Sequence, residues 1–181
     1  MKKNPNKQMS SGKGMSRREF VKSSAALSLA AVTSVTAGKA FAAGSDKIRV
    51  GLIGCGARGT GDAKECVLSA DGVEITAMGD LFGDQLDSSL ARLSRSVDDK
   101  VSVTEGSCFT GFDAYKKVLE TDVDMVILTT PPGFRPQQLK AAVEAGKHVF
   151  MEKPVAVDPI GIHSIIESSK LAERKGLSIV A

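Results

Sequence analysis

Lys47-Ile48-Arg49-Val50-Gly51-Leu52-Ile53-Gly54-Cys55-Gly56-Ala57-Arg58-Gly59-Thr60-Gly61 decides how this 181-residue chain is read. An apolar run from Ile48 to Ile53 enters Gly54–Gly59, a G-x-G-x-x-G. The pattern predicts a buried strand, a tight turn and a helix whose N-terminus faces a phosphate. Gly54 permits the turn, Gly56 leaves room for a pyrophosphate against the backbone, and Gly59 lets helix and strand pack closely. The free N–H groups and positive dipole end of the helix favour an anion there. Arg58, in the same turn, joins these three glycines as a candidate cofactor contact. Glycine-rich turns are common, so the rest of the chain must supply the context.

Working outward, Thr60–Leu68 reads as a helix with Ala63, Cys66, Val67 and Leu68 on its inner face. Val73–Met78 reads as a second strand, ending at Gly79-Asp80. Asp80 stands 21 residues past Gly59, where a dinucleotide fold places the acid that binds the adenosine ribose. A carboxylate there accepts from ribose hydroxyls and repels a 2′-phosphate, which favours NAD over NADP. Asp84 is the rival position. Gln85–Leu93 is a helix by the spacing of Leu86, Leu90 and Leu93, and Ser94–Gly106 reads as a loop. Ser107–Thr110 is a short third strand, and Phe112–Leu119 is a helical turn or short helix with Phe112, Tyr115, Val118 and Leu119 inward. Val123–Thr129 is a nearly continuous apolar run suited to the centre of a parallel sheet. Thr130-Pro131-Pro132-Gly133 stops that strand at the sheet edge.

Arg135–Ala145 is the next helix and His148–Met151 the fifth strand, followed by Glu152-Lys153-Pro154. Asp158–Lys175 is a long helix with Ile160, Ile162, Ile165, Ile166 and Leu171 as core candidates. Leu177–Ala181 begins a sixth strand. The alternation predicts an α/β, Rossmann-type doubly wound parallel sheet of about six strands, with order 3-2-1-4-5-6 and helices on both faces. The glycine turn, Asp80, Thr130–Pro132 and Glu152–Lys153 then meet at the carboxyl edge, where such sheets bind ligands.

Residues 1–42 read as a leader outside the fold, and 43–46 as a short linker to a domain at 47–181. The first 43 residues hold eight of the chain's 24 basic residues and one acid, so the remainder is net acidic. With no basic cluster in that remainder and no tryptophan, nucleic-acid binding is not expected. Ser16-Arg17-Arg18-Glu19-Phe20-Val21-Lys22 resembles the bacterial twin-arginine signal, which addresses a receptor. The Ala25–Gly38 apolar stretch is shorter than the roughly 20 residues of a membrane span, so no stable membrane anchor is expected. Ala40-Phe41-Ala42 offers a peptidase site. The expectation is export through the twin-arginine machinery to a periplasmic or other extracytoplasmic compartment. That route carries folded proteins, often with cofactor already bound. Cys55, Cys66 and Cys108 show no metal-ligand spacing and read as small core or turn residues. A disulfide stays open.

With Glu152-Lys153-Pro154 in view, the chain resembles the Gfo/Idh/MocA oxidoreductases from about Lys47 to Ala181. The matching pieces are IRVGLIGCGARG, Asp80, Thr129-Thr130-Pro131-Pro132 and Gly146–Pro154. The resemblance implies an NAD(P)-binding domain followed by an α/β substrate domain. It also implies cofactor contacts from Gly54, Gly56, Arg58, Gly59, Asp80, Thr130, Pro131, Glu152 and Lys153. Lys153 is the candidate catalytic residue, reaching substrate hydroxyl and nicotinamide ribose across a lysine–proline bond that is often cis. It either helps remove a hydroxyl proton as hydride leaves or only donates hydrogen bonds. The family's acid/base histidine motif lies in a second domain. Neither His148 nor His163 matches it, and the chain reads as an amino-terminal part of a longer protein that homo-oligomerises. Where the family often has a polar or histidine-containing turn, this chain has Gly133-Phe134-Arg135-Pro136. The leading expectation is hydride transfer between NAD and a sugar, cyclitol or related polyol. The alternatives are an NAD-dependent glycosidase of the same superfamily and a non-catalytic nucleotide-binding module.

Overall fold

The computed structural model describes residues 47–181, so the leader and linker lie outside the described residues. Strand β1 (Ile48–Ile53) is built from the apolar run and pairs in parallel with a strand on each side. Val50, Leu52 and Ile53 are accordingly almost wholly buried. Its neighbours are β2 (Val73–Asp80) and β4 (Met125–Leu128). Strand β3 (Cys108–Thr110) extends the sheet beyond β2, while β5 (His148–Met151) and β6 (Ile179–Val180) extend it beyond β4. The order is β3-β2-β1-β4-β5-β6, all parallel, as the alternation predicted. It reverses direction between β1 and β4, which opens a crevice at the carboxyl ends of those two strands.

Two helices cover one face of the sheet and three the other. Helices α1 (Ala57–Ser69) and α2 (Gly83–Val97) bury Ala63, Val67, Leu86, Leu93 and Val97 against Val50, Leu52, Ile75 and Ile127. Helices α3 (Ala114–Glu120), α4 (Arg135–Glu144) and α5 (Pro159–Lys175) pack Tyr115, Val118, Leu139, Val143 and Ala172 against Val126, Leu128 and Met151. Each fully buried Leu, Ile or Val contributes about 1.5–3 kcal/mol. The ends of α5 follow from its sequence. Asp158 caps it by accepting from the Gly161 N–H at 2.6 Å, Pro159 opens it, and Gly176 closes it at φ 69°. Lys175 then donates to the Val143 and Glu144 carbonyls at 2.9 Å, tying α5 to the end of α4.

Several local expectations are corrected. Helix α2 runs four residues past Leu93, and two single turns of 3-10 helix (Asp98–Lys100, Glu105–Ser107) occupy what reads as loop. Phe112 precedes α3 and is 73% exposed rather than inward. Leu68 is also exposed, because it falls on the side of α1 away from the sheet. On α5, Ile160 is 82% exposed, and Ile162 and Ile166 also face outward. The buried line of that helix is Ser168 and Ala172, flanked by the partly buried Ile165 and Leu171. A polar serine and small alanine make the closest core contact because α5 packs closely on α4, so of the five apolar candidates only Ile165 and Leu171 pack inward. All three cysteines are free thiols.

Candidate dinucleotide site

The turn after β1 is held by its neighbours as much as by its glycines. Gly54 takes φ +98°, a conformation that L side chains rarely adopt, and its N–H donates to the Gly79 carbonyl at 2.9 Å. Thr129, at the end of β4, donates through Oγ1 to the Gly54 carbonyl at 2.6 Å. A β-carbon on Gly59 would lie 1.9 Å from that same carbonyl oxygen, so only glycine lets α1 start this close to β1. A β-carbon on Gly56 would meet nothing within 4 Å. The space in front of the helix N-terminus is therefore open where a pyrophosphate needs it.

Asp80 ends β2 beside this turn. Its Oδ2 accepts the Cys55 N–H at 2.6 Å and its Oδ1 accepts the Phe82 N–H at 2.9 Å. Two backbone donors fix the carboxylate, and each oxygen keeps acceptor capacity for a ligand hydroxyl. Cys55 has its thiol donating to the Gly79 carbonyl at 3.5 Å, and burial pushes that thiol far up from its ordinary value. Asp84, the rival to Asp80, lies in the first turn of α2 and is exposed.

A cleft of about 290 Å³ opens between the ends of β1, β2, β3 and β4. Gly56, Asp80, Thr130 and Pro131 line it, together with Phe82, Phe112 and Phe134. The exposure of Phe112 thus has a place in the fold: it stands on the cleft wall. Thr130 donates through Oγ1 to the Gln138 amide oxygen, which buries that glutamine at the cleft floor.

The far side of the edge is organised by Arg135, which local sequence did not single out. Its side chain is almost fully buried. Nε donates to the Thr130 carbonyl at 2.7 Å, and Nη1 donates to the Glu152 and Pro154 carbonyls at 2.5 and 2.6 Å. One guanidinium therefore ties the loop after β4 to the loop after β5. Burial lowers its pKa from the ordinary arginine value, while Glu152 opposes that. The Lys153–Pro154 peptide is cis and Lys153 is exposed. Glu152 pairs with Arg58 across the edge, and that hydrogen bond holds its carboxyl below the ordinary value. Arg58 also pairs with Asp62 one turn along α1, Nε to Oδ1 at 3.1 Å. All the sequence-derived site residues therefore stand along one edge, in two groups. Gly54, Gly56, Asp80, Thr130 and Pro131 line the cleft, while Arg58, Glu152 and Lys153 lie beyond it, with Gly59 buried behind the turn. His148 and His163 are elsewhere. His148 accepts the Ser178 N–H at the opposite, amino edge of the sheet, and His163 is an exposed residue of α5.

The fold, the open glycine turn and the fixed acid at the end of β2 define a nucleotide-binding α/β domain of the Rossmann type. Family comparison agrees: residues 48–180 match the Gfo/Idh/MocA model, described as an oxidoreductase family with an NAD-binding Rossmann fold. The chain belongs to that family and contains its NAD-binding domain. A glycosyl hydrolase family 109 protein of Shewanella sp. (strain ANA-3) is 33% identical over 179 residues, covering 89% of this chain and 38% of that protein. The scyllo-inositol dehydrogenase of Lactobacillus casei, solved with NAD(H) and scyllo-inositol, superposes with TM-score 0.56 at 27% identity. That match covers 74% of this chain and 35% of the dehydrogenase. A 3-ketoreductase from Actinomadura kijaniata, solved with NADP, gives TM-score 0.56 at 27% identity over 74% of this chain and 36% of its own. The chain thus spans roughly a third of the length of the curated relatives it matches. Nicotinamide dinucleotides of both kinds occur among these neighbours.

Proposed function

We propose that this chain binds NAD for an exported oxidoreductase acting on a sugar, cyclitol or related polyol. The residues present fit such a cofactor. The N-terminus of α1 with Gly56 would take the pyrophosphate, and Asp80 would accept from the adenosine ribose. Phe82, Phe112 and Phe134 offer apolar walls for the base. Thr130, Pro131, Glu152 and Lys153 would face the nicotinamide half. The cofactor, when bound, supplies the hydride-accepting chemistry. The protein orders it, and exposed Lys153 stands free to donate to, or take a proton from, a substrate hydroxyl. The twin-arginine leader supports loading in the cytoplasm before export.

The single observation behind the NAD preference is Asp80, a carboxylate fixed by two backbone N–H groups at the cleft mouth. A 2′-phosphate beside it would meet a fixed negative charge. Mass spectrometry of the purified protein for retained nucleotide, followed by titration with NAD+ and NADP+, tests the reading. NAD+ is expected to bind the more tightly, and Asp80→Asn to narrow the gap by weakening NAD+ about tenfold. Failure to retain or bind either nucleotide would remove the proposal, and preference for NADP+ would remove the role given to Asp80.

The family 109 relatives favour a second reading, an NAD-dependent glycosidase. Product analysis on aryl glycosides with the complete gene product separates the two, since hydrolysis releases the aglycone and oxidation leaves it attached.

A further inference from the structure

One charged side chain near the edge has no place in the cofactor scheme. Asp62 lies on α1, one turn beyond Arg58, and its side chain is only 10% exposed. Its Oδ1 takes the Arg58 Nε, while its Oδ2 is buried without a hydrogen-bond partner among the described residues. Burying a carboxylate with an unmet oxygen is costly. Helix energetics do not explain the pair. A cation in the first turn of a helix opposes the dipole, and arginine followed by an acid at i+4 is the less favourable orientation. What the pair does achieve is geometric. Arg58 is long and 66% exposed, and such a side chain would otherwise spread over many rotamers. Held by Asp62 through Nε, it presents Nη2 to Glu152, the residue before Lys153.

We infer that Asp62 is a positioning residue of the cofactor site. It aims Arg58 at Glu152, so that α1 and the Glu152-Lys153-Pro154 loop are braced together on the nicotinamide side. This rests on the dinucleotide reading above. Arg135 fixes the backbone of that loop from the other side, through the Glu152 and Pro154 carbonyls. The Asp62–Arg58–Glu152 line fixes its side-chain face. Burial raises the Asp62 carboxyl above its ordinary value. Arg58 opposes that shift and Glu152 adds to it.

The chain is titrated with NAD+ by calorimetry, with NADH by fluorescence, and with AMP, which reaches only the Asp80 side. Asp62→Asn is expected to weaken NAD+ about fivefold, as for loss of one anchored ion pair. It should reduce the NADH emission change and leave AMP binding unaltered. Arg58→Gln is expected to show the same selective loss, and the double variant to bind no more weakly than Arg58→Gln alone. Circular dichroism and thermal melts establish that each variant is folded. If Asp62→Asn is not, Asp62→Ser takes its place with the same expectation. Unchanged NAD+ affinity in the Asp62 variant, a parallel loss of AMP, or additive losses in the double variant would overturn the inference alone. If the unaltered chain binds neither NAD+ nor AMP, the dinucleotide reading fails and takes this inference with it.

Discussion

Gly56 and Gly59 lie three residues apart in one motif and answer to different constraints. At Gly59 the limit is internal: a methyl would overlap the Gly54 carbonyl and sit 2.4 Å from Thr129 Oγ1. Gly59→Ala is expected to cost about 3 kcal/mol in urea unfolding, the upper range for overpacking, because backbone rather than a flexible side chain must yield. At Gly56 the limit is external, since nothing in the chain occupies that space. Gly56→Ala is expected to leave the melting temperature within about 2 °C of the unaltered chain, while weakening NAD+ in calorimetry by more than about tenfold. Equal effects of the two substitutions on stability would contradict this division. The tight turn and the close approach at Gly59 were legible from spacing alone. What was not legible is Thr129 behind them, because its partner Gly54 is 75 residues away in the chain.

At the scale of elements, two polar ties set how the strands and their loops meet. Arg135 joins the loops after β4 and β5 at the carboxyl edge. Replacing it with methionine keeps much of the volume but leaves three carbonyls without their donor. The expected loss is about 3 kcal/mol by denaturant unfolding, with weaker NAD+ binding as the two loops separate. At the amino edge, Asp124 accepts from the Arg49 backbone N–H at 2.8 Å and from its guanidinium at 3.0 Å, joining β1 to β4. The Arg49 side-chain hydrogen bond holds the Asp124 carboxyl below its ordinary value. A depressed carboxylate contributes stability above its unfolded pKa, about 3.9, and loses it as pH falls through the lower folded value. Asp124→Asn should therefore lower stability at pH 7 by about 1 kcal/mol, allowing for solvent screening. Its acid limb below about pH 4 should be flatter, as read in melts across pH. Neither tie follows from periodicity. The sequence spacing located the strands well but misjudged part of α5, where Ile160, Ile162 and Ile166 face out while Ile165 packs inward.

For the molecule as a whole, the strand order places every candidate contact on one edge. If export proceeds through the twin-arginine route, replacing Arg17 and Arg18 with lysine should hold the protein in the cytoplasm. Fractionation and immunoblotting check this, and unimpaired export of the doubly substituted protein would exclude the route. No helix among the described residues is long and apolar enough to cross a membrane. The parallel order, the switch point between β1 and β4, and membership of the family all lie in local signals: a glycine pattern, an acid 21 residues on, and Glu-Lys-Pro after a strand.

The Gly54–Gly59 turn, the βα alternation and the acid after β2 were determined by sequence alone, because each depends on residues within one turn or one repeat. The tertiary structure alone decided that Arg135 is a buried tie, that Phe112 stands on a cleft wall, and that Asp62 braces Arg58 toward Glu152. Each of these depends on burial or on partners brought together from different strands and helices, and such contacts leave no period or spacing in the chain.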